Sequence, residues 1–530
     1  MKLTSLSSIS IFILQFSIIS SLFIPSAQYV PQSLFTLAAT FIPSLSVSTA
    51  PVPSNFEDWL AYQEDVSLRS ILDNVGGEFS SDTHLLPGVI IASPSKADPD
   101  YYYQWTRDAA ITLNLVTEQV YKNPRNSSLV NLIESYIENT LVLQKIPNRS
   151  GSVESYENLG EPKFVVNLTN FDENWGRPQR DGPALRAISI MNYLNVLHEY
   201  NIPVLKESTL HNASFIYYEA IKPDLIYSIK YWNQKGFDLW EEIYDYHFFT
   251  SLVQLKSLQM GLKYAQYFSD SQSFQDELSD AITKLSDFIS HDSGFINPFK
   301  PYVVSGPSIY HTGKRNGLDI ATVLASLYTH EDNDTSVPYD IDNGYILTTL
   351  SSLVSDMKFR YPINFQDNFL GVALGRYPED VYDGYRQTEG NPWFISTATA
   401  SEFIYRFIYN LKTNKKDIVI NNSNIDFFKP FLPLDSTEST DDDEDDDDGN
   451  DKDDFDELII RYNTKSYTMM LDKMFNYADG FLKVVQKHVG LNGELSEQFN
   501  KVNGYMQGAT KLTWSYGAVH QAIIARKKLL

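Results

Sequence analysis

Not one cysteine occurs in the 530 residues. Disulfides, thiolate metal sites and thiol nucleophiles are therefore excluded, and packing alone must hold the fold. Basic residues are scarce: 42 Lys and Arg face 67 Asp and Glu, a formal net charge of -25. That balance offers no positive field for phosphates, so no nucleic-acid partner is expected. Long apolar runs are missing beyond the amino terminus, so no later stretch can cross a bilayer. The run from Ile9 to Ile24, behind Lys2 and ahead of Pro25-Ser26-Ala27, reads as an export signal over 1–27. An uncleaved anchor is the competing reading, though no stable membrane association is expected. Residues 28–54 read as a linker, and 55–530 as one large domain.

Acidic residues and aromatics are abundant instead. Much of the charge lies in one run, Asp441-Asp442-Asp443-Glu444-Asp445-Asp446-Asp447-Asp448. It repels itself and buries nothing, so 435–457 reads as a solvated, disordered insert, with a divalent-cation site as the lesser alternative. The chain carries 34 Tyr, 31 Phe and 7 Trp. Most such rings fill cores, but they also stack on sugar faces. Six sequons (Asn126, Asn148, Asn167, Asn212, Asn333 and Asn421) are candidate glycosylation sites that fit the secretory pathway.

From about Asn55 the hydrophobic spacing is helical. It predicts about twelve helices: 55–74, 105–121, 127–145, 182–200, 215–235, 247–268, 273–290, 317–329, 344–359, 393–412, 465–488 and 509–529. No strand series and no repeat stands out. The connections into even-numbered helices are mostly long, and those into odd-numbered ones mostly shorter, apart from the one with the acidic run. If consecutive helices run antiparallel, the long loops share one end, where a site belongs. The acidic insert, Asn126, Asn212, Asn333 and Asn421 then fall at or near the other end.

Five polar-aromatic clusters lie before or at the starts of even-numbered helices. They are Asp100–Asp108 with Tyr101, Trp105, Arg107 and Asp108; Trp175–Pro183; Gly236–Glu242 with Asp238, Trp240, Glu241 and Glu242; Gly375–Tyr382 with Arg376 and Tyr377, followed by Trp393; and Gly493–Phe499 with Glu497, leading to Trp514. Each alone could be a helix cap, a structural ion pair or a core anchor. Converging on one end, they combine flat rings for sugar C–H faces with charged forks for hydroxyls. Glycoside cleavage needs one protonated and one ionised carboxyl across the scissile bond. Glu241 beside Glu242 offers a like-charge route to keep one protonated, with Trp240 adding desolvation. Glu497, in a loop at the same end, is the best-placed second carboxyl.

The strings Trp175-Gly-Arg-Pro-Gln-Arg-Asp-Gly-Pro-Ala-Leu-Arg186, Phe237-Asp-Leu-Trp-Glu-Glu242, Gly375-Arg-Tyr-Pro-Glu-Asp-Val-Tyr382 and Leu495-Ser-Glu-Gln-Phe-Asn-Lys501 closely resemble those of the glycoside hydrolase family 15 glucoamylases, especially the yeast branch. The resemblance runs from about Asn55 to the carboxyl terminus. It implies an all-α (α/α)6 barrel and an exo-acting, inverting glucoamylase (a glucan 1,4-α-glucosidase). Such an enzyme acts on starch, dextrins or glycogen, cleaving terminal α-1,4 and more slowly α-1,6 bonds to give β-D-glucose.

It further implies Glu241 as general acid and Glu497 as general base. Arg107, Asp108 and Arg376 would bind the terminal glucose. Glu242 and Trp175 would contact the next sugar, with Trp175 also helping to set the acid. Tyr101, Trp105, Asp238, Tyr382, Trp393 and Trp514 would line or brace the pocket, beside Trp240 and Tyr377. No metal and no cofactor are expected, and a secreted or vacuolar monomer is. The connection Asp383–Glu389 is longer than in mould-type enzymes, and no starch-binding domain follows Trp514. A trehalase or other glucosidase on the same barrel, and a non-catalytic glucan-binding protein, are the rival readings.

Overall fold

The computed structural model describes residues 52–308, 316–330, 336–366, 368–432 and 457–530. The export signal, nearly all of the linker, Asn333 and all of the acidic insert except Glu457 lie outside these. Among the described residues, twelve α-helices of ten residues or more carry the fold. They are α1 (Phe56–Asp73), α2 (Thr106–Lys122), α3 (Ser127–Leu143), α4 (Asp181–Tyr200), α5 (Lys222–Tyr231) and α6 (Phe248–Tyr267). The second half holds α7 (Gln272–Asp287), α8 (Ile320–Thr329), α9 (Gly344–Arg360), α10 (Phe394–Thr413), α11 (Lys465–His488) and α12 (Thr513–Lys527).

The even-numbered helices pack in a closed ring, α2 on α4, then α6, α8, α10, α12 and back to α2. Each odd-numbered helix packs on the outside of an even one: α1 on α12, α3 on α2, α5 on α4, α7 on α6, α9 on α8 and α11 on α10. This is the (α/α)6 barrel that the sequence resemblance implies. Composition sorts the two rings. Fifteen of the twenty residues of α10 are buried, against four of the sixteen in α7. An inner helix is covered on almost every side, whereas an outer one keeps a wet face and a narrow apolar stripe.

Helix ends differ from the expected spans for local reasons. The run expected over 215–235 becomes a short turn at Ala213–Ile216, a wide turn at Tyr217–Ile221 and then α5. Pro223 has no N–H to close an ordinary turn there. The helix expected from 509 starts only at Thr513, because Gly508 and Lys511 adopt positive φ of 74° and 48°. Asp319 caps α8 through the Ala321 N–H at 2.9 Å, which delays that helix from 317 to Ile320.

Strands do occur, but as ribbons too short to give the alternating pattern of a strand series. At one end lie β1 (Tyr103–Trp105), β2 (Lys163–Val165) and β3 (Thr169–Asn170), paired in that order; β4 (Gly236–Phe237) with β5 (Tyr244–Asp245) follow. After β6 (Ile418–Ile420) and β7 (Leu458–Ile460), which pair with each other, come β8 (Gln498–Phe499) with β9 (Met506–Gln507). The described parts of the connectors 74–105, 144–180, 232–247, 288–319, 361–393 and 489–512, all of which lead into inner helices, gather at that first end. The β6–β7 ribbon lies in the opposite set, between α10 and α11. It pairs the backbone on either side of the stretch 421–457, away from the clustered loops. Asn126, Asn212 and Asn421 sit in that opposite set too, while Asn148 and Asn167 share the connector 144–180. No helix of the described residues is long and apolar enough to cross a membrane.

Candidate active site

The loop between β4 and β5 carries Glu241. Asp238 builds it: its Oδ1 accepts from the Glu242 and Ile243 N–H groups at 2.7 and 2.9 Å, and its carbonyl accepts from Glu241 N at 2.9 Å. The tight turn puts Glu241 at φ 68°, a left-handed conformation that costs a non-glycine residue about 1 kcal/mol or more. Gly176 lets the neighbouring loop lie against this turn, since an added Cβ would stand 2.9 Å from the Glu241 carbonyl oxygen. The carboxyl is then held asymmetrically. Trp105 Nε1 donates to Oε1 at 2.7 Å, and Gln179 Nε2 donates to the same oxygen at 2.8 Å.

Two parts of the sequence reading change here. Trp240 has a carboxylate partner of its own. Its Nε1 donates to both oxygens of Asp319, at 2.9 and 3.2 Å, and its ring stacks on Trp514 and tilts against Trp393. The positive φ at Glu241 turns consecutive side chains apart, so Trp105 becomes the ring beside the acid. Glu242 is likewise drawn away, to Arg376 Nη2 at 2.8 Å and the Tyr377 hydroxyl at 2.5 Å. Its charge meets a guanidinium there, an ion pair that the like-charge reading of Glu241 and Glu242 did not foresee.

Glu497 stands just before β8. The β8–β9 hairpin fixes it, with Glu497 N donating to the Ala509 carbonyl at 2.8 Å and Phe499 N to that of Pro392 at 3.0 Å. The residue is 1% exposed, and its carboxyl accepts the Tyr101 hydroxyl on Oε1 at 2.9 Å and the Tyr382 hydroxyl on Oε2 at 3.3 Å. Burial pushes this carboxyl up to about 7, against the pull of Tyr101 and Arg376. Gly508, at φ 74°, backs onto it so closely that any Cβ would collide with Oε2. Tyr101 packs on Trp105, ring centres 5.4 Å apart. The two carboxyls therefore flank one aromatic pair.

Two guanidinium groups complete the pocket. Arg107 Nη1 donates to Gln179 Oε1 at 2.8 Å and Asp181 Oδ2 at 3.1 Å, with Nε 3.3 Å from Asp108 Oδ2. Gln179 thus links Arg107 to Glu241, its amide oriented by a cation at one end and a carboxyl at the other. Burial pulls Arg107 down, yet Asp181 and Asp108 hold it well above its ordinary value. Burial also lifts Asp108 up to about 6 despite Arg107. Arg376 binds Asp380 with two parallel bonds of 2.8 and 2.7 Å, amid the rings of Trp240, Tyr377, Tyr382 and Trp393 at 5.1–5.4 Å. Trp175, 37% exposed, forms the outer rim against Trp105 and Phe171.

All fifteen expected catalytic and substrate-binding residues lie in this one network, Asp238 as a brace rather than a wall. Several partners went unassigned from sequence: Gln179, Asp181 and Asp380 inside the quoted strings, and Asp319 and Lys163 outside them. Lys163 Nζ sits 3.3 Å over the Trp175 ring and within 4.5 Å of those of Tyr103, Trp105 and Phe171. Burial pulls it down to about 8, with Glu241 raising it. The Glu161-Pro162-Lys163-Phe164 string before the tryptophan cluster was the available signal. Among the described residues no group of three or more His, Asp or Glu is placed to hold a metal ion.

Carboxyls paired across aromatic rings, with buried cations for hydroxyls, at the loop end of an (α/α)6 barrel define a glycoside-cleaving protein. The glycosyl hydrolases family 15 model matches residues 66–523. A glucoamylase of Saccharomycopsis fibuligera is 40% identical over 488 residues, covering 90% of this chain and 91% of that one. An intracellular sporulation-specific glucoamylase of Saccharomyces cerevisiae is 39% identical over 486 residues, covering 90% and 85%. The atomic-resolution structure of a Saccharomycopsis fibuligera glucoamylase superposes with a TM-score of 0.85 at 39% identity, over 91% of this chain and 98% of that one. The chain belongs to glycosyl hydrolases family 15, and it is a glycoside hydrolase of the glucan 1,4-α-glucosidase type.

Proposed function

We propose that this enzyme removes single glucose units from the non-reducing ends of starch, dextrins or glycogen, with inversion, releasing β-D-glucose. The observation that carries the reading is the asymmetry of the two carboxyls. Both donors on Glu241 occupy Oε1, so a proton on this group belongs on Oε2, free to be given to the glycosidic oxygen. Glu497 receives one hydroxyl on each oxygen, donors that favour its ionised form against the burial that lifts it to about 7.

In the reaction, Glu241 protonates the leaving oxygen as the C1–O bond breaks. Glu497 takes a proton from a water whose oxygen attacks C1 on the opposite face, which needs carboxyls about 6.5–9.5 Å apart. Arg107, Asp108 and Arg376 hold the hydroxyls of the terminal glucose, and Glu242 with Trp175 meets the next unit. The α-1,6 bond presents the same terminal glucose with a longer, looser leaving arm, and is cut more slowly. We further infer export, with 1–27 as signal, the acidic run as a surface loop, and a monomer as the working form. Among the described sequons Asn148 is poorly suited to a glycan, since its amide nitrogen donates to the Asn158 carbonyl at 2.8 Å.

Glucose release from maltose beside trehalose, for the natural chain and for Glu241→Gln and Glu497→Gln, tests the reading. Cleavage of maltose alone, lost in both variants, is expected. Faster cleavage of trehalose, or either variant retaining most activity, would reject it.

A further inference from the structure

Behind the wall formed by Trp514 lies Tyr328, on the inner helix α8. Sequence patterning gave it no role beyond membership of a helix. Trp514 opens the first turn of α12, stacks on Trp240 with ring centres 6.0 Å apart and 23° between planes, and lies under the Arg107 guanidinium at 5.8 Å. Its only polar atom, Nε1, donates to the Tyr328 hydroxyl at 2.7 Å. An indole nitrogen can only donate, so the tyrosine oxygen is the acceptor and its proton points elsewhere. Burial drives that hydroxyl well above its ordinary range, with Glu402 and Asp108 raising it further. It stays a neutral O–H under any condition the enzyme meets. The Tyr328 ring is itself held edge-on to Phe249 at 6.2 Å.

We propose that Tyr328 is a positioning residue for the chain-end pocket, fixing the tilt of Trp514 and, through it, the stack with Trp240 and the plane beneath Arg107. It touches no substrate. This rests on the reading that Trp514 walls the pocket for the terminal glucose. A wall ring with an unsatisfied N–H can rotate about its χ angles, and a rotated ring loses its contact with a sugar face. Because every substrate places a terminal glucose there, the loss is shared by short and long chains.

The test is a double-mutant cycle of Tyr328→Phe and Trp514→Phe, measured as kcat/KM on maltose, maltotriose and maltoheptaose, with thermal midpoints alongside. Tyr328→Phe lowers kcat/KM about tenfold, by the same factor at each chain length. In the Trp514→Phe background it adds less than twofold, while its thermal effect is the same in both backgrounds. Full additivity in kcat/KM, a loss that varies with chain length, or no loss would overturn the proposal. Trp514→Phe alone separates the two layers. If it leaves kcat/KM unchanged, the pocket reading fails; if it is damaging and Tyr328→Phe is not, only the positioning role does.

Discussion

Among the described residues, five of the six outer helices begin with a side chain that accepts from the first turn: Asn55, Asn126, Ser271, Asn343 and Thr464. Of the six inner helices only α8 does so, through Asp319. The others follow Trp105, Arg180, His247, Trp393 and Leu512, none of which caps. A missing cap costs about 1 kcal/mol, so the inner ring forgoes several. It uses those positions otherwise. Trp105 holds Glu241, Arg180 braces Tyr227 at 3.0 Å, and Trp393 packs beside Arg376. The backbone donors are satisfied from other loops instead, as when Thr106 N reaches the Pro162 carbonyl at 2.8 Å and Thr513 N that of Ala92 at 2.9 Å. Most outer starts serve the helix they begin, while the inner starts Trp105 and Trp393 serve the pocket.

Substitutions at the two kinds of helix start should therefore separate chemistry from stability. The largest effect falls on the carboxyls: Glu241→Gln lowers kcat on maltotriose by about 10³-fold, read as initial glucose release, with folding unchanged. Trp105→Phe, at an uncapped inner start, removes one donor from Glu241 Oε1 and lowers kcat by roughly tenfold to a hundredfold. An unchanged kcat there would mean that inner starts are not spent on the site.

Glu497→Gln sharpens the comparison from the stability side. The folded carboxyl titrates near 7, above its ordinary 4.5, so the fold favours the neutral acid. The contribution of this one group to stability falls as pH rises from about 4.5 to 7, and the glutamine variant escapes that loss. Denaturant unfolding should show the variant's advantage growing across this window to about 3 kcal/mol and levelling off above it. At an outer start, Thr464→Ala loses the bond from Tyr467 N. It should cost about 1 kcal/mol by the same measurement, with kcat unaltered. Smallest of all, deletion of 435–457 should leave turnover on maltotriose within a few-fold, because the flanking β6–β7 ribbon lies away from the site. A collapse of activity would place the insert in the working machinery.

The helices were legible because their apolar spacing holds over several turns and loop length alternates along the chain, while the closed barrel itself was implied by the resemblance of the motif strings. The site loops were legible as strings of Trp, Tyr, Arg and carboxylate. What escaped were relations set by a single backbone angle or by distant partners. Nothing local announces that Glu241 takes a positive φ, and that angle is what sends Trp240 to Asp319 and Glu242 to Arg376. Gln179 reads as an ordinary polar residue until both ends of its amide are seen in use. The ribbons of two or three residues are below the length at which alternation can be read. Lys163 is a lysine in a loop by sequence and becomes part of the site only when four rings close around it.

The central claim, that Glu241 and Glu497 act on opposite faces of the terminal glucose, is tested most directly by the anomeric form of the glucose first released from maltotriose, followed by early-time proton NMR. Initial β-glucose, with the α form appearing only as the sugar equilibrates, is the predicted result. Initial α-glucose would mean retention, and both carboxyl roles would have to be withdrawn.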